Sequence, residues 1–250
     1  FLVARQLRSF DPDAVLVQGA HEAASTLLGR RLARSGTKVI LDVHGDWRTA
    51  TRLYGSRTRR VLNPFADRVA SWSVRRVDAV RTVSDFTTGI VRELGVEPSA
   101  TFPAFMDLDP FLTPPAPLPE RPVALFVGAL ELYKGLDLLV EAWPIVAERV
   151  PDAEFRLIGA GAREDLARLL VERGPRVTWE SGLAPEEVAG ELDRSTVLVL
   201  PSRREGMGRV VVEAFCRGRA VVGTRGGGIE DLVRDGENGV LVPPNDAQAL

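Results

Sequence analysis

Residues 201–233 read PSRREGMGRVVVEAFCRGRAVVGTRGGGIEDLV, and the reading of this stretch decides the fold. It follows Val197-Leu-Val-Leu200, an apolar run that suits a strand buried on both faces. Pro201 then ends the ladder, because it has no N–H to donate. The chain has to turn there. Gly206 and Gly208 let backbone N–H groups approach a ligand closely, and a helix opening near Arg209 aims its positive end at any phosphate held in the turn. The β-branched triplet Val210-Val-Val212 resembles strand, whereas Glu213-Ala-Phe-Cys216 and the closing Gly218 favour helix. Glu205 lies within the turn and Glu213 about one turn into the helix. Such a pair alone also fits a tight strand-to-helix connection with a solvated Glu205 and a surface Glu213.

Outward from this unit, apolar strand-like runs alternate with helical stretches along the whole chain, the pattern of parallel sheets covered by helices on both faces. In the first half the strands are predicted at 14–18, 38–43 and 79–83, with a weaker one at 100–102, and helices at 21–35, much of 49–76, and 86–94. In the second half the predicted strands are 123–127, 154–158, 176–179, 197–200 and 220–222. The helices between them are 136–150, 163–173, 185–192, 209–217 and 229–233. Residues 112–122 carry five prolines and fit neither sheet, so they read as a linker. The expected organisation is an N-terminal domain over 1–112, a linker over 113–122 and a C-terminal domain over 123–250. Both domains are α/β, doubly wound and Rossmann-like, and they face a cleft. Ligands of such sheets bind beyond the carboxyl ends of the strands, and that geometry filters every candidate residue.

With 250 residues, two domains are the natural expectation. The sequence has no signal peptide and no apolar run of about eighteen residues, so it predicts a soluble, cytoplasmic protein, with a peripheral contact to the membrane's cytoplasmic face still open. Its single cysteine, Cys216, excludes internal disulfides and cysteine-rich metal sites and reads as a small core residue. Charge is uneven: 16 basic against 12 acidic residues up to Pro117 (+4), and 16 against 22 beyond it (−6). Between Arg48 and Arg81, Arg48, Arg52, Arg57, Arg59, Arg60, Arg68, Arg75, Arg76 and Arg81 meet only Asp67 and Asp78. That run reads either as a dock for an anionic acceptor or lipid surface or as a solvated helical face. The chain starts at Phe1 inside the amphipathic FLVARQLRSF, which has no N-cap, and stops in Asp246-Ala-Gln-Ala-Leu250, which opens a helix; it reads as a fragment.

The pattern P-S-x-x-E-G-x-G-x-x-x-x-E-A from Pro201 to Ala214, with G-x-x-V-V-G-T-x-x-G-G after it, resembles the E-x7-E signature of retaining glycosyltransferases of the GT-B fold, especially the family 4 group (glycosyl transferases group 1). The resemblance implies transfer of a sugar from a nucleotide-diphosphate donor to a hydroxyl acceptor, which is a sugar, a lipid or a small molecule. It implies Glu213 on the ribose hydroxyls, and Glu205 with the N–H groups of Gly206, Met207 and Gly208 on the sugar ring. The family's diphosphate loop reads G-R-x-x-x-x-K-G; here Lys134 matches the lysine, but Ala129 stands at the arginine position. Half of the usual clamp is therefore missing, and Arg203 or Arg204 replaces it only if the fold brings them near. Lys134 stands where a loop meets the next helix, one of two lysines beside thirty arginines, and the structural alternative is a solvated side chain.

His44 ends the 38–43 strand in a V-H-G-D context and so lies at the ligand-binding end of its sheet. The resemblance implies contact with the donor sugar; a core or capping histidine is the alternative. His21 passes the same filter and reads equally as a helix-start residue. Ser84 is foremost an N-cap. Gly159-Ala-Gly161 is a lone G-x-G, and in the resembling family that turn lies beside the nucleotide base. Gly226-Gly-Gly228 offers either a helix-start N–H cluster or a plain loop. Asp11-Pro-Asp13 lies at the wrong end of its sheet and Asp107-Leu-Asp109 in a turn, so the sequence predicts no obligatory metal and no cofactor beyond the sugar nucleotide as co-substrate. Nothing points to nucleic acid, and no G-x-S-x-G elbow supports a serine hydrolase. The competing functions are a GT-B sugar-nucleotide epimerase, a nucleotide-sugar-binding module without turnover, and a retaining glycosidase with Glu205 and Glu213 as its carboxylates. The last needs them about 5 Å apart.

Overall fold

The computed structural model describes residues 1–48 and 57–250, with residues 57–61 described as backbone only. The chain forms two compact units, Phe1–Ala104 and Phe105–Leu250. The first contains α1 (Leu2–Phe10), β1 (Ala14–Gln18), α2 (Ala20–Ala33), β2 (Lys38–Val43), α3 (Arg57–Val74), β3 (Ala79–Thr82), α4 (Asp85–Arg92) and β4 (Ala100–Thr101). Its four strands lie parallel in the order β1-β2-β3-β4. Val39, Leu41 and Val43 of β2 are buried, and Leu41 and Val43 pack with Ala23 of α2, Ala70 and Val74 of α3 and Val80 of β3. The strand bounds expected over 14–18 and 38–43 match. Residues 49–56, where the helix expected over 49–76 begins, lie outside the described residues.

The second unit contains β5 (Val123–Val127), α5 (Leu136–Arg149), β6 (Glu154–Ile158), α6 (Glu164–Arg173), β7 (Val177–Glu180), α7 (Pro185–Asp193), β8 (Val197–Leu200), α8 (Arg209–Cys216), β9 (Ala220–Thr224) and β10 (Gly239–Val242). All six strands are parallel, in the order β10-β9-β8-β5-β6-β7. This is a doubly wound sheet whose order reverses between β5 and β8. Its central strands carry side chains with almost no exposure, including Leu125, Phe126, Leu198 and Leu200, as a sheet buried on both faces requires.

Three expectations need correction. The helix predicted over 229–233 is a set of turns, with Val233 N–H returning to Ile229 O at 2.9 Å. Three glycines precede it and Val233 closes it, so no helical run is long enough to propagate. Strand β10 was missed because Gly239-Val-Leu-Val242 is short and follows the turn-forming Asp235-Gly-Glu-Asn238. The proline-rich stretch belongs to the second unit, since the boundary between the units falls after Ala104. Arg217 donates to Thr113 O at 2.6 Å and Arg219 to Ala116 O at 2.8 Å; both side chains are 3% exposed, and Phe111 just ahead is buried in the second core.

Candidate functional site

The reversal of strand order in the second unit leaves a crevice between the loops leaving β5 and β8, because their crossovers run to opposite sides. Lys134 comes from the first loop, at the end of a short 3-10 turn over Leu132–Lys134, and Glu205 comes from the second. They meet there. Lys134 Nζ donates to Glu205 Oε2 at 2.5 Å, and both side chains are nearly buried. Ser202 Oγ lies 3.3 Å from the same oxygen. The pair is an ammonium and a carboxylate withdrawn from water at the ligand-binding edge, where a diphosphate would find a charge already in place.

Glycines let these loops fit. Gly135 has φ 74°, and a Cβ there would lie 2.1 Å from Pro201 O, so only glycine allows the Lys134 loop against the start of the Glu205 loop. Gly227 forms a parallel bridge with Glu205, and Gly228 N–H donates to Glu205 O at 2.8 Å. Gly226-Gly-Gly228 is thus the loop alternative rather than a helix start: it braces the backbone of residues 205–207.

Gly208, at φ 79°, is the N-cap of α8, so the helix does open at Arg209 despite its three valines. Val210 and Val211 face the core, and that burial outweighs their modest preference against helix. Glu213 lies one turn in and is half-buried rather than a surface residue. Burial pushes its carboxyl above the usual glutamate range, and Arg209, one turn earlier, offsets part of that shift. Its carboxylate has no hydrogen-bond or ion-pair partner among the described residues.

Arg203 does reach the Lys134 loop, yet its guanidinium is engaged: it forms a fork with Asp137 at 2.9 and 2.6 Å and donates to Leu132 O and Asn245 Oδ1. It ties the β8 loop to the start of α5. Gly159 closes the β6 edge. Its N–H donates to Glu180 O at 2.9 Å, its carbonyl accepts from Trp179 Nε1 at 2.9 Å, and a Cβ would lie 1.9 Å from Gly128 O.

The first unit has its own pocket of about 320 Å³, lined by Gln18, Gly19, Ala20, Val43, His44, Gly45, Asp46 and Trp47, where β1 and β2 end. His44 Nε2 is 2.8 Å from Asp42 Oδ2, and Arg81 donates to that same oxygen at 2.7 Å. Asp42 was not singled out in the sequence, although its position two residues before His44 on an extended segment was the available signal. Ser84 is the N-cap of α4, accepting from Thr87 N–H, and His21 lies in the first turn of α2. In the basic run, Arg48 bonds Asp46 and Glu93, Arg75 donates to Leu94 O, and Arg81 holds Asp42. Arg52 and the side chains of Arg57, Arg59 and Arg60 lie outside the described residues. Among the described residues no three His, Cys, Asp or Glu side chains are grouped to hold a metal ion, and no helix is long and apolar enough to cross a membrane.

Two α/β units with parallel sheets, the second doubly wound with a charged pair at its switch point, define the GT-B class. Residues 121–250 match the family Glycosyl transferases group 1, and residues 1–103 match the Glycosyl transferase 4-like domain. The chain belongs to the glycosyl transferases group 1 family. It is 31% identical over 253 residues to the GDP-mannose-dependent alpha-(1-6)-phosphatidylinositol monomannoside mannosyltransferase of Mycolicibacterium smegmatis, covering 91% of this chain and 63% of that protein. It is 28% identical to the alpha-D-kanosaminyltransferase of Streptomyces kanamyceticus over 84% of this chain and 58% of that one. The chain thus spans about three fifths of the length of these relatives. Among solved structures, HepE of Anabaena in complex with UDP and glucose has a TM-score of 0.78 at 21% identity, covering 99% of this chain and 69% of that one. Sucrose-phosphate synthase of Thermosynechococcus elongatus has a TM-score of 0.76 at 22% identity, covering 95% and 62%.

Proposed function

We propose that the chain carries out retaining, metal-independent transfer of a sugar from a nucleotide-diphosphate donor to a hydroxyl acceptor. The observation that carries this reading is the Lys134–Glu205 pair at the switch point between β5 and β8, flanked by the N-terminus of α8. In the proposed reaction the bond between the anomeric carbon and the diphosphate oxygen breaks, and the acceptor oxygen bonds to the same face of the sugar. The acceptor's proton passes to the departing phosphate oxygen. Lys134 and the N-terminus of α8 meet the negative charge that develops on the diphosphate, while the N–H groups of Gly206, Met207 and Gly208 hold the sugar ring. Glu205 orients the sugar ring, and the base packs beside Gly159.

Glu213 takes the ribose hydroxyls. Its half-buried, unpartnered carboxylate is costly in the free protein, and two hydroxyl donors would relieve that cost. His44 meets the sugar half of the donor. The nucleotide class is supported by HepE, whose solved complexes hold UDP, UDP with glucose, and UDP-glucose, and by a mannosyltransferase relative described as GDP-mannose-dependent. A thermal-shift panel of UDP, GDP, ADP and their sugars tests the reading, because a ligand at about 100 times its Kd stabilises the fold by about 2.7 kcal/mol. The expected result is stabilisation by one base series, followed by transfer from its sugar with the anomeric configuration kept. Failure of every nucleotide to stabilise the fold would refute it.

A further inference from the structure

We infer that Asp42 is the positioning residue for His44: it holds the ring by Nε2–H, so that His44 offers the lone pair of Nδ1 to a hydroxyl of the sugar rather than a positive charge to the phosphates. The inference rests on the proposed contact between His44 and the donor sugar and names its chemistry. Asp42 is the penultimate residue of β2, is 2% exposed, and has Arg81 of β3 as its register partner. Its Oδ2 receives both Arg81 Nη1 at 2.7 Å and His44 Nε2 at 2.8 Å, and its Oδ1 is buried without a partner.

A carboxylate oxygen facing a ring nitrogen at that distance accepts, so Nε2 has to carry the proton. In a neutral ring the proton is then absent from Nδ1. Arg81 decides the charge. Its guanidinium also donates to Phe102 O at 3.1 Å and Pro103 O at 2.7 Å and stands 4.0 Å over the Phe102 ring, so it is fixed against Asp42 and already balances that carboxylate. His44 need not become a cation to satisfy Asp42, and a neutral ring suffices. The histidine side chain is 41% exposed and lines the 320 Å³ pocket, and Nδ1 has no partner among the described residues. A hydroxyl that donates to Nδ1 completes the arrangement, whereas a phosphate oxygen, which only accepts, would meet a lone pair.

The chain has two histidines, so ring nitrogen resonances of the full protein can be assigned by comparison with His21→Asn. For neutral His44 the expected spectrum has the proton on Nε2 and none on Nδ1. Asp42→Asn should lose that preference and lower kcat/KM for the sugar nucleotide by about tenfold, the scale of one hydrogen bond, while affinity for the free nucleoside diphosphate stays the same. A proton on Nδ1 in the wild-type protein would overturn the inference without recourse to any variant. An unshifted tautomer in folded Asp42→Asn would overturn it equally. If instead the tautomer shifts as expected while His44→Ala transfers sugar at the wild-type rate, the proposed sugar contact of His44 is what fails.

Discussion

Replacing Lys134 by Met removes the ammonium but keeps most of the volume, and the structure says what that leaves behind. Glu205 would remain 14% exposed with Ser202 Oγ, at 3.3 Å, as its remaining side-chain partner. Removing one member of a buried pair costs roughly 3–5 kcal/mol when burial is complete; slight exposure here brings the expected loss to about 2–3 kcal/mol. Glu205→Gln should cost about as much by orphaning Lys134. The double variant leaves no buried charge and should lose only about 1–2 kcal/mol, giving a coupling energy of about 2–5 kcal/mol between the sites. Urea titrations followed by circular dichroism and tryptophan fluorescence measure all four corners of the cycle. The same proteins then report on function: Lys134→Met should weaken nucleoside diphosphate far more than nucleoside, and rising salt should narrow that gap. Additive losses within about 0.5 kcal/mol would show that the pair is not coupled. Unchanged diphosphate affinity in the folded variant would remove Lys134 from the phosphate site.

His44→Ala should slow transfer while leaving affinity for free nucleoside diphosphate nearly unchanged; equal losses for both ligands in calorimetry would mark a structural histidine. Glu213→Gln should weaken nucleoside and nucleoside diphosphate alike by roughly 1.5–3 kcal/mol, and unchanged affinities would end the ribose assignment. The same substitution should stabilise the ligand-free protein at neutral pH. Glu213 binds its proton more tightly folded than unfolded, so it makes stability fall as pH rises from the ordinary glutamate range through its raised folded value. The advantage of the variant in thermal melts should therefore vanish below that window. Gly227→Ala, with φ 109° and a Cβ 2.3 Å from Glu205 O, should cost at least about 1–3 kcal/mol and displace the Glu205 loop, so donor affinity should drop in parallel with the melting temperature.

Much of this was legible in the sequence because it depends on local patterns. Strand 197–200 and the turn at Pro201 follow from an apolar run and a missing donor, and Lys134 and Glu205 both passed the strand-end filter. Their mutual contact did not follow, since 71 residues separate them and their pairing depends on β5 and β8 being neighbours. Whether Arg203 or Arg204 comes near the Lys134 loop depends on the fold; Arg203 does reach it, and its capture by Asp137 is again a long-range pairing. The turn at 229–233 was misread because glycines and one short apolar run suit both a helix start and a loop. Asp42 escaped notice since a lone aspartate in an apolar strand acquires meaning only beside Arg81 in the adjoining strand.

The two almost fully buried guanidiniums of Arg217 and Arg219 set where the second unit can be cut free. Between them they grip the carbonyls of Thr113, Pro114, Ala116 and Pro117, with Asp193 as the shared counter-charge. Protein excised at Pro122, where regular secondary structure is about to begin, would strip those acceptors away and empty the slot that Phe111 fills. Excision at Phe105 would keep the harness whole. The proline run, which looks expendable on paper, behaves as a girth strap, and a well-behaved isolated second unit has to begin upstream of it.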